Sequence, residues 1–165
     1  CKTPPRVWIN SSSATIYRHA EDRDMDEETG EIGDGFSVDV CRKWEKELFD
    51  ADVSTRKVAL RLAMTFRRES GGVADVFLQL ARRGLAGTLG NGRQFVSWIH
   101  ASDFCRAVEW IIEHDELAGA INCSSPHPLP NREFMKILRE ESGAKIGLPA
   151  TKWMLEIGAI FMQTE

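Results

Sequence analysis

Apolar residues fall along this chain in two alternating rhythms. Short runs at Val7-Trp8-Ile9-Asn10, Val58 to Ala63, Phe95 to His100 and Ala120-Ile121-Asn122-Cys123 have the length and bounding turns of buried strands. Between them the spacing turns helical. Phe36, Val40, Trp44 and Leu48 recur every four residues and predict an amphipathic helix with those four on its buried face. Val73, Val76, Phe77 and Leu80 predict a second helix, and Phe104, Val108, Ile111 and Ile112 a third. Pro126, Pro128 and Pro130 hold a loop extended before a fourth, with Asn131 as its N-cap, Glu133 in its first turn and Phe134, Ile137 and Leu138 on its apolar face. A last helix is expected around Trp153, Ile157 and Phe161.

The punctuation is equally readable. Ser11-Ser12-Ser13 reads as a small-residue turn closing the first strand. Residues 18–35 are acidic, glycine-containing and aperiodic, an exposed loop longer than most in a compact domain. Gly71-Gly72, and then Gly84, Gly87, Gly90 and Gly92, break the chain before further elements. Strands alternating with helices predict an α/β fold with parallel strands and helical crossovers. Three long buried strands amount to half such a sheet.

Composition narrows the function classes. The 165 residues are 42% hydrophobic and 28% charged, with a net charge of -4, which argues against a nucleic-acid surface. Arg67-Arg68 and Arg82-Arg83 are short pairs of the kind found at solvated helix ends. Cys1, Cys41, Cys105 and Cys123 show no metal-ligand spacing, so no metal site is expected. Cys105 and Cys123 lie among apolar residues and read as core thiols in a reducing, cytoplasmic compartment. No apolar run is long enough to span a bilayer. Opening at Cys1 and running at once into a strand, the chain is expected to start at a cut boundary.

Asn10-Ser11-Ser12-Ser13-Ala14-Thr15-Ile16-Tyr17 resembles the end of the fifth strand in extended short-chain dehydrogenases/reductases, above all in the UDP-galactose 4-epimerases. The likeness continues in the family's order. Ala59 to Ala63 resembles the sixth strand, and Gly90-Asn91-Gly92-Arg93-Gln94 through Trp98-Ile99-His100 and Asp103 resembles the substrate-side strand and following helix start. With Trp44-Glu45 in the helix, the subgroup it looks most like is the sugar-nucleotide epimerases of unassigned substrate. The resemblance implies the C-terminal part of a Rossmann-like doubly wound parallel sheet plus a small substrate-side α/β region. Residues 1–70 would be the second half of the dinucleotide fold, and 71–165 an incomplete substrate region. The glycine-rich turn that cradles a dinucleotide pyrophosphate would precede Cys1.

Residue by residue, the resemblance makes Ser13 and Tyr17 catalytic candidates. Ser11, Ser12, Lys43, Leu62 and Ala63 would line a bound NAD or NADP, and Arg93, Gln94, Trp98 and His100 an anionic, sugar-type substrate. Two departures stand out. The family's chemistry rests on Tyr-x-x-x-Lys in the helix around residues 36–49. Aligning Glu45 with the family's helix glutamate puts Ser37 and Cys41 there, while aligning Glu47 puts Asp39 and Lys43 there. Neither register supplies a tyrosine. Val96 also stands where these epimerases place a diphosphate-binding arginine.

Each candidate has a plainer reading. Ser13 either takes part in chemistry or closes a turn on local backbone. Arg93 either binds an anion or sits in water, and Gln94 goes with it. His100 reads as a structural histidine, Asp103 as a helix-start residue, Trp98 and Trp44 as core or pocket wall, and Asn122 as a strand-end hydrogen-bonder. Lys43 reads as solvent-facing unless its register is the right one. Three functions compete: an NAD(P)-dependent epimerase or reductase, a non-catalytic dinucleotide- or metabolite-binding relative, and a remnant without ligand. The expected assembly is a homodimer through the strand at Trp8 or the helix at Trp44, with no nucleic-acid or membrane partner.

Overall fold

A computed structural model describes residues 3–69 and 71–149. In chain order the elements are β1 (Val7–Ser13), a 3-10 turn (Ala14–Ile16), α1 (Phe36–Asp50), β2 (Arg56–Leu62), β3 (Met64–Phe66), α2 (Val73–Arg82), β4 (Phe95–Val96), β5 (Trp98–His100), α3 (Ala101–Glu113), β6 (Gly119–Cys123), β7 (Leu129–Pro130) and α4 (Asn131–Ser142). They divide into two units. One holds the residues up to Thr65 with Ile99–Ser125, the other Phe66–Trp98 with the residues from Pro126 on. No helix among the described residues is long and apolar enough to cross a membrane.

The first unit is built on a parallel sheet of order β1-β2-β6, as the alternation of elements predicts. Partners in the ladder point to the same face, and successive residues to opposite faces. Val58, Leu60 and Leu62 therefore share one face with Ile9, Ile121 and Cys123, and pack on Phe104, Val108 and Ile111 of α3. Val58 and Leu60 are almost wholly buried, each worth about 1.5–3 kcal/mol of apolar burial. The opposite face carries Ala59 and Arg61 and is covered by α1. At its start β2 fastens both helices: Arg56 donates to the carbonyls of Ile111 (2.9 Å) and Leu117 (2.7 Å) beyond α3, and Lys57 to those of Phe49 (2.9 Å) and Ala51 at the end of α1. The carbonyls of Ile111, Phe49 and Ala51 are among those a helix terminus leaves unpaired, and Leu117 lies in the segment between α3 and β6.

Several sequence expectations need correction here. The serine triplet is not a turn, because β1 runs through Ser13 and the ladder partners of Ser11, Ser12 and Ser13 on β2 hold it extended. The helix at 36–50 forms, but its buried face is Val38, Cys41, Glu45 and Leu48, while Phe36 and Trp44 are 72% and 52% exposed. A strict four-residue repeat drifts about 40° around a helix at each step. The stripe read from the sequence thus winds off the face that meets the sheet, and only Leu48 lies on both. Ile112 and Ile137 are exposed rather than core, and so is Val76. Cys105 is exposed, whereas Cys123 is buried as expected.

The second unit packs α2 against α4 around Ala81, Ala86, Phe134 and Met135. The Phe134 ring lies 5.8 Å from Phe66 and 5.3 Å, edge-on, from Phe77. The run 95–100 is two short strands rather than one, and β4 pairs antiparallel with β7. Asn131 is not a cap: it is the first residue of α4, buried, its side-chain carbonyl accepting from the Leu89 N–H (2.9 Å). Gly92, with φ +69°, leaves no room for a side chain, since a Cβ there would lie 2.3 Å from the Thr88 methyl. That close approach lets the Arg132 N–H reach the Gly92 carbonyl. The helix expected around Trp153, Ile157 and Phe161 lies outside the described residues.

The correction to α1 is directly testable. Leu48→Ala should cost about 2–5 kcal/mol in urea unfolding, and Phe36→Ala no more than about 0.5 kcal/mol. Equal losses at the two positions would restore the face read from the sequence.

Candidate functional site

Ligands of parallel α/β sheets gather beyond the carboxyl ends of the strands. In this sheet Ser13, Leu62 and Cys123 lie side by side at that end. One residue earlier, Ser12, Arg61 and Asn122 are also ladder partners and form a polar row on the α1 face. A guanidinium in the central strand of a buried sheet demands a partner, and α1 supplies it. Arg61 donates from Nε to Glu45 Oε1 (3.0 Å) and from Nη2 to Oε2 (2.9 Å), a fork with both side chains about 10% exposed. The buried Ser12 hydroxyl donates to the same Oε1 at 2.8 Å. Burial pushes the Glu45 carboxyl up, but Arg61 and Ser12 outweigh it and hold it below the usual carboxylate range. Glu45 in turn holds the Arg61 guanidinium more firmly protonated than usual.

From this pair a directed chain of hydrogen bonds leads outward. Arg61 Nη1 donates to the Tyr17 hydroxyl at 2.7 Å and the guanidinium lies 5.0 Å from the centre of its ring. Arginine has no acceptor atom, so the tyrosine proton goes elsewhere: to Asn122 Oδ1, at 2.8 Å. The Asn122 amide nitrogen then donates to the Met25 carbonyl (3.1 Å), and its backbone N–H to Glu27 Oε1 (2.6 Å).

The other candidates sit as follows. Ser11 is exposed, its hydroxyl no nearer a partner than the Ser12 carbonyl at 3.4 Å. Ser13 donates to the Thr15 hydroxyl (2.9 Å) and accepts from the Thr15 N–H (3.2 Å), capping the 3-10 turn. Leu62 belongs to the α3-side core, and Ala63 is buried with its N–H on the Cys123 carbonyl. Lys43 is on the exposed side of α1. His100 caps α3, accepting from the Ser102 N–H. In the second unit Arg93 is exposed, with its backbone N–H on the Asn91 side chain. Gln94 donates to the Leu89 carbonyl (3.0 Å), and the Trp98 indole to the His127 carbonyl (3.1 Å). Of all these, the structure ties Ser12 and Tyr17 into one network. No cluster of three or more His, Cys, Asp or Glu side chains suited to a metal occurs among the described residues.

Comparison with known proteins bears on this arrangement. No protein-family model matches the chain. An epimerase family protein of Mycobacterium leprae is 35% identical over 130 residues, 78% of this chain and 42% of that protein. The mouse epimerase family protein SDR39U1 is 30% identical over 148 residues, 89% of this chain and 49% of that protein. The crystal structure of human SDR39U1 (isoform 2) with NADPH matches at a TM-score of 0.82 and 26% identity, over 93% of this chain and 52% of that one. This chain is a homologue of the epimerase family proteins, with the extended short-chain dehydrogenase/reductase fold. A nucleoside-diphosphate sugar epimerase from Corynebacterium glutamicum superposes on 97% of it with a TM-score of 0.73 and 26% identity. The chain spans about half the length, or less, of the curated relatives it matches.

Two residues at the centre of the network, Glu45 and Arg61, were not among the candidates read from the sequence. Glu45 served only to align the helix, and Arg61 only as one letter of a strand. The signal was available: a lone arginine inside an otherwise apolar run, and a glutamate one turn beyond Cys41 and three residues before Leu48, on the arc those two residues share. Such charges need each other.

The pair sets its own test. Glu45→Gln strands the Arg61 charge and should cost about 3–5 kcal/mol in denaturant unfolding, while adding Arg61→Met should recover part of the loss. The folded Glu45 carboxyl lies below its unfolded value of about 4.3. Its contribution is therefore complete above that pH and is lost as pH falls through the folded value. The gap between wild type and Glu45→Gln should be flat from about pH 6 to 8 and close below about pH 4. A gap independent of pH would exclude an ionised Glu45.

Proposed function

We propose that the whole protein binds NAD or NADP with the nicotinamide end at the carboxyl edge of the sheet, near Ser13, Tyr17, Leu62 and Ala63, and acts as an epimerase or reductase on a nucleoside-diphosphate sugar. The observation that carries this reading is the likeness to human SDR39U1 with NADPH, at a TM-score of 0.82 over 93% of this chain. The sugar-nucleotide part is supported by the likeness to the C. glutamicum epimerase. The cofactor supplies hydride chemistry, and the chain's residues orient and enclose it. Arg93, following the glycine-rich loop, is the candidate for an anionic group of the substrate, with Gln94 and Trp98 beside it in sequence. Ser11, Ser12 and His100 complete the proposed lining in supporting roles, and Lys43, on the exposed side of α1, stands outside it.

A second reading, a dinucleotide-binding member without turnover, is favoured by the proton-transfer groups. α1 contains no tyrosine. Its buried glutamate is Glu45, not Glu47, which supports the register with Ser37 and Cys41 in the Tyr and Lys positions. Burial pushes the Cys41 thiol up, away from the thiolate a proton acceptor needs.

Titration of NADPH and NADH, followed by nicotinamide fluorescence, separates these readings. Protein from the complete reading frame should bind one of them with micromolar affinity or better, and the 165-residue chain alone much more weakly. No binding by the complete protein would sink both readings. Cofactor turnover with carbonyl and sugar-nucleotide substrates favours the first, and binding without turnover the second.

We also propose a homodimer, supported by the large apolar side chains left exposed at Phe36 and Trp44 on α1 and at Trp8 on β1. Light scattering at tens of micromolar should give about twice 18.6 kDa. A monodisperse monomer would refute it.

A further inference from the structure

The acidic segment between the 3-10 turn and α1 has no helix or strand of its own, yet it is tightly organised. The Arg18 N–H donates to the Glu31 carbonyl (2.9 Å), the Gly33 N–H to the Ile16 carbonyl (2.9 Å), and Tyr17 bridges Ile32 in antiparallel fashion. Asp26 turns the far end, its carboxylate accepting from the N–H groups of Glu28 (3.0 Å) and Thr29 (2.5 Å). Arg18 and Arg23 both reach Glu31 at 2.7 Å. Those contacts shape the segment, but they are exposed and worth little singly. Its attachment to the sheet is another matter.

Two contacts join it to β6, and both end on Asn122: the amide nitrogen to the Met25 carbonyl and the backbone N–H to Glu27. The amide can face Met25 with its nitrogen only if its oxygen faces Tyr17. Tyr17 offers that oxygen a proton because Arg61 has taken its acceptor side. The orientation of the latch is thus set, through one hydroxyl, by the buried ion pair. The segment also lies directly on the Tyr17 ring: a Cβ at Gly30 would stand 2.5 Å from ring carbon Cε1.

We infer that Arg18–Gly33 is a strap latched across the end of β6 by Asn122, that Tyr17 is its positioning residue, and that its closure holds the bound dinucleotide in place. The last clause rests on the proposed nicotinamide site; the strap and latch do not. On this account the Tyr17 hydroxyl is occupied on both sides and shuttles no proton, and its work is to turn the Asn122 amide.

Hydrogen exchange without cofactor tests the latch. Glu27 is exposed, so its substitution leaves the core intact. Glu27→Ala should speed exchange of the Gly30 and Gly33 amides about five- to tenfold, the effect of losing one solvent-exposed hydrogen bond, with Val58 and Leu60 of β2 unchanged. Glu27→Gln, which keeps an acceptor oxygen, should restore most of the protection. Tyr17→Phe should loosen the same amides. If Tyr17→Phe does not fold, the Glu27 pair decides alone. Unchanged strap exchange in Glu27→Ala, or a rise shared equally by β2, overturns the latch. In the complete protein, NADPH should dissociate several-fold faster from Glu27→Ala than from wild type or Glu27→Gln. Equal rates with a loosened strap overturn its role in retention. A wild type that binds no NADPH overturns the proposed function instead, and is told apart because the exchange measurement contains no cofactor.

Discussion

One buried guanidinium organises this molecule. Arg61 lies in the central strand of a parallel sheet, where removing a charge from water costs several kcal/mol. That cost is met only if a carboxylate reaches it in good geometry with its remaining lone pairs filled. Glu45 and Ser12 do this together. The requirement is met when α1 is rotated so that Glu45 faces inward, and the helix face is selected by this charge together with the apolar residues beside it. Val38, Cys41 and Leu48 come with it because they share the arc, and Phe36 and Trp44 are turned out although they are larger and more apolar.

The two faces of the sheet consequently behave differently. The α3 side, beyond the Arg56 contacts at its edge, is held by area and shape: Val58, Leu60, Ile111 and Cys123 gain from contact with anything apolar of the right size. The α1 side is held by direction. Each donor in the row from Ser12 to Asn122 has a single acceptor, so one changed partner propagates outward to the acidic segment. Placing such a network one residue below the carboxyl end of the strands puts the stiffest polar part of the fold beneath the edge where ligands of such sheets lie.

The readable part of this arrangement followed from short-range rules. β2 showed as an apolar run, β6 likewise, and the glycines before β4 as a loop. Ser12 and Tyr17 were found through an eight-residue likeness to known enzymes and Asn122 as a strand-end hydrogen-bonder, whereas Glu45 and Arg61 were not among the candidates. The link from Arg61 to Glu45 spans 16 residues and that from Tyr17 to Asn122 spans 105. No periodicity reports such a pairing. Ser13 was the sharper candidate on paper, yet its hydroxyl is engaged with Thr15, the local role that its plainer reading gave it.

Element type was a matter of local steric and solvation preferences repeated over several residues, so the sequence alone determined where the three long strands and the helices from α1 to α4 would lie and that those strands would pair in parallel. Composition settled in the same way that no long apolar span is present. Which side of α1 is buried, which serine is sealed and where the tyrosine proton points were decided only in three dimensions. Those outcomes depend on charges and hydroxyls far apart in the chain finding one another in a medium where an unpartnered one is too costly to keep.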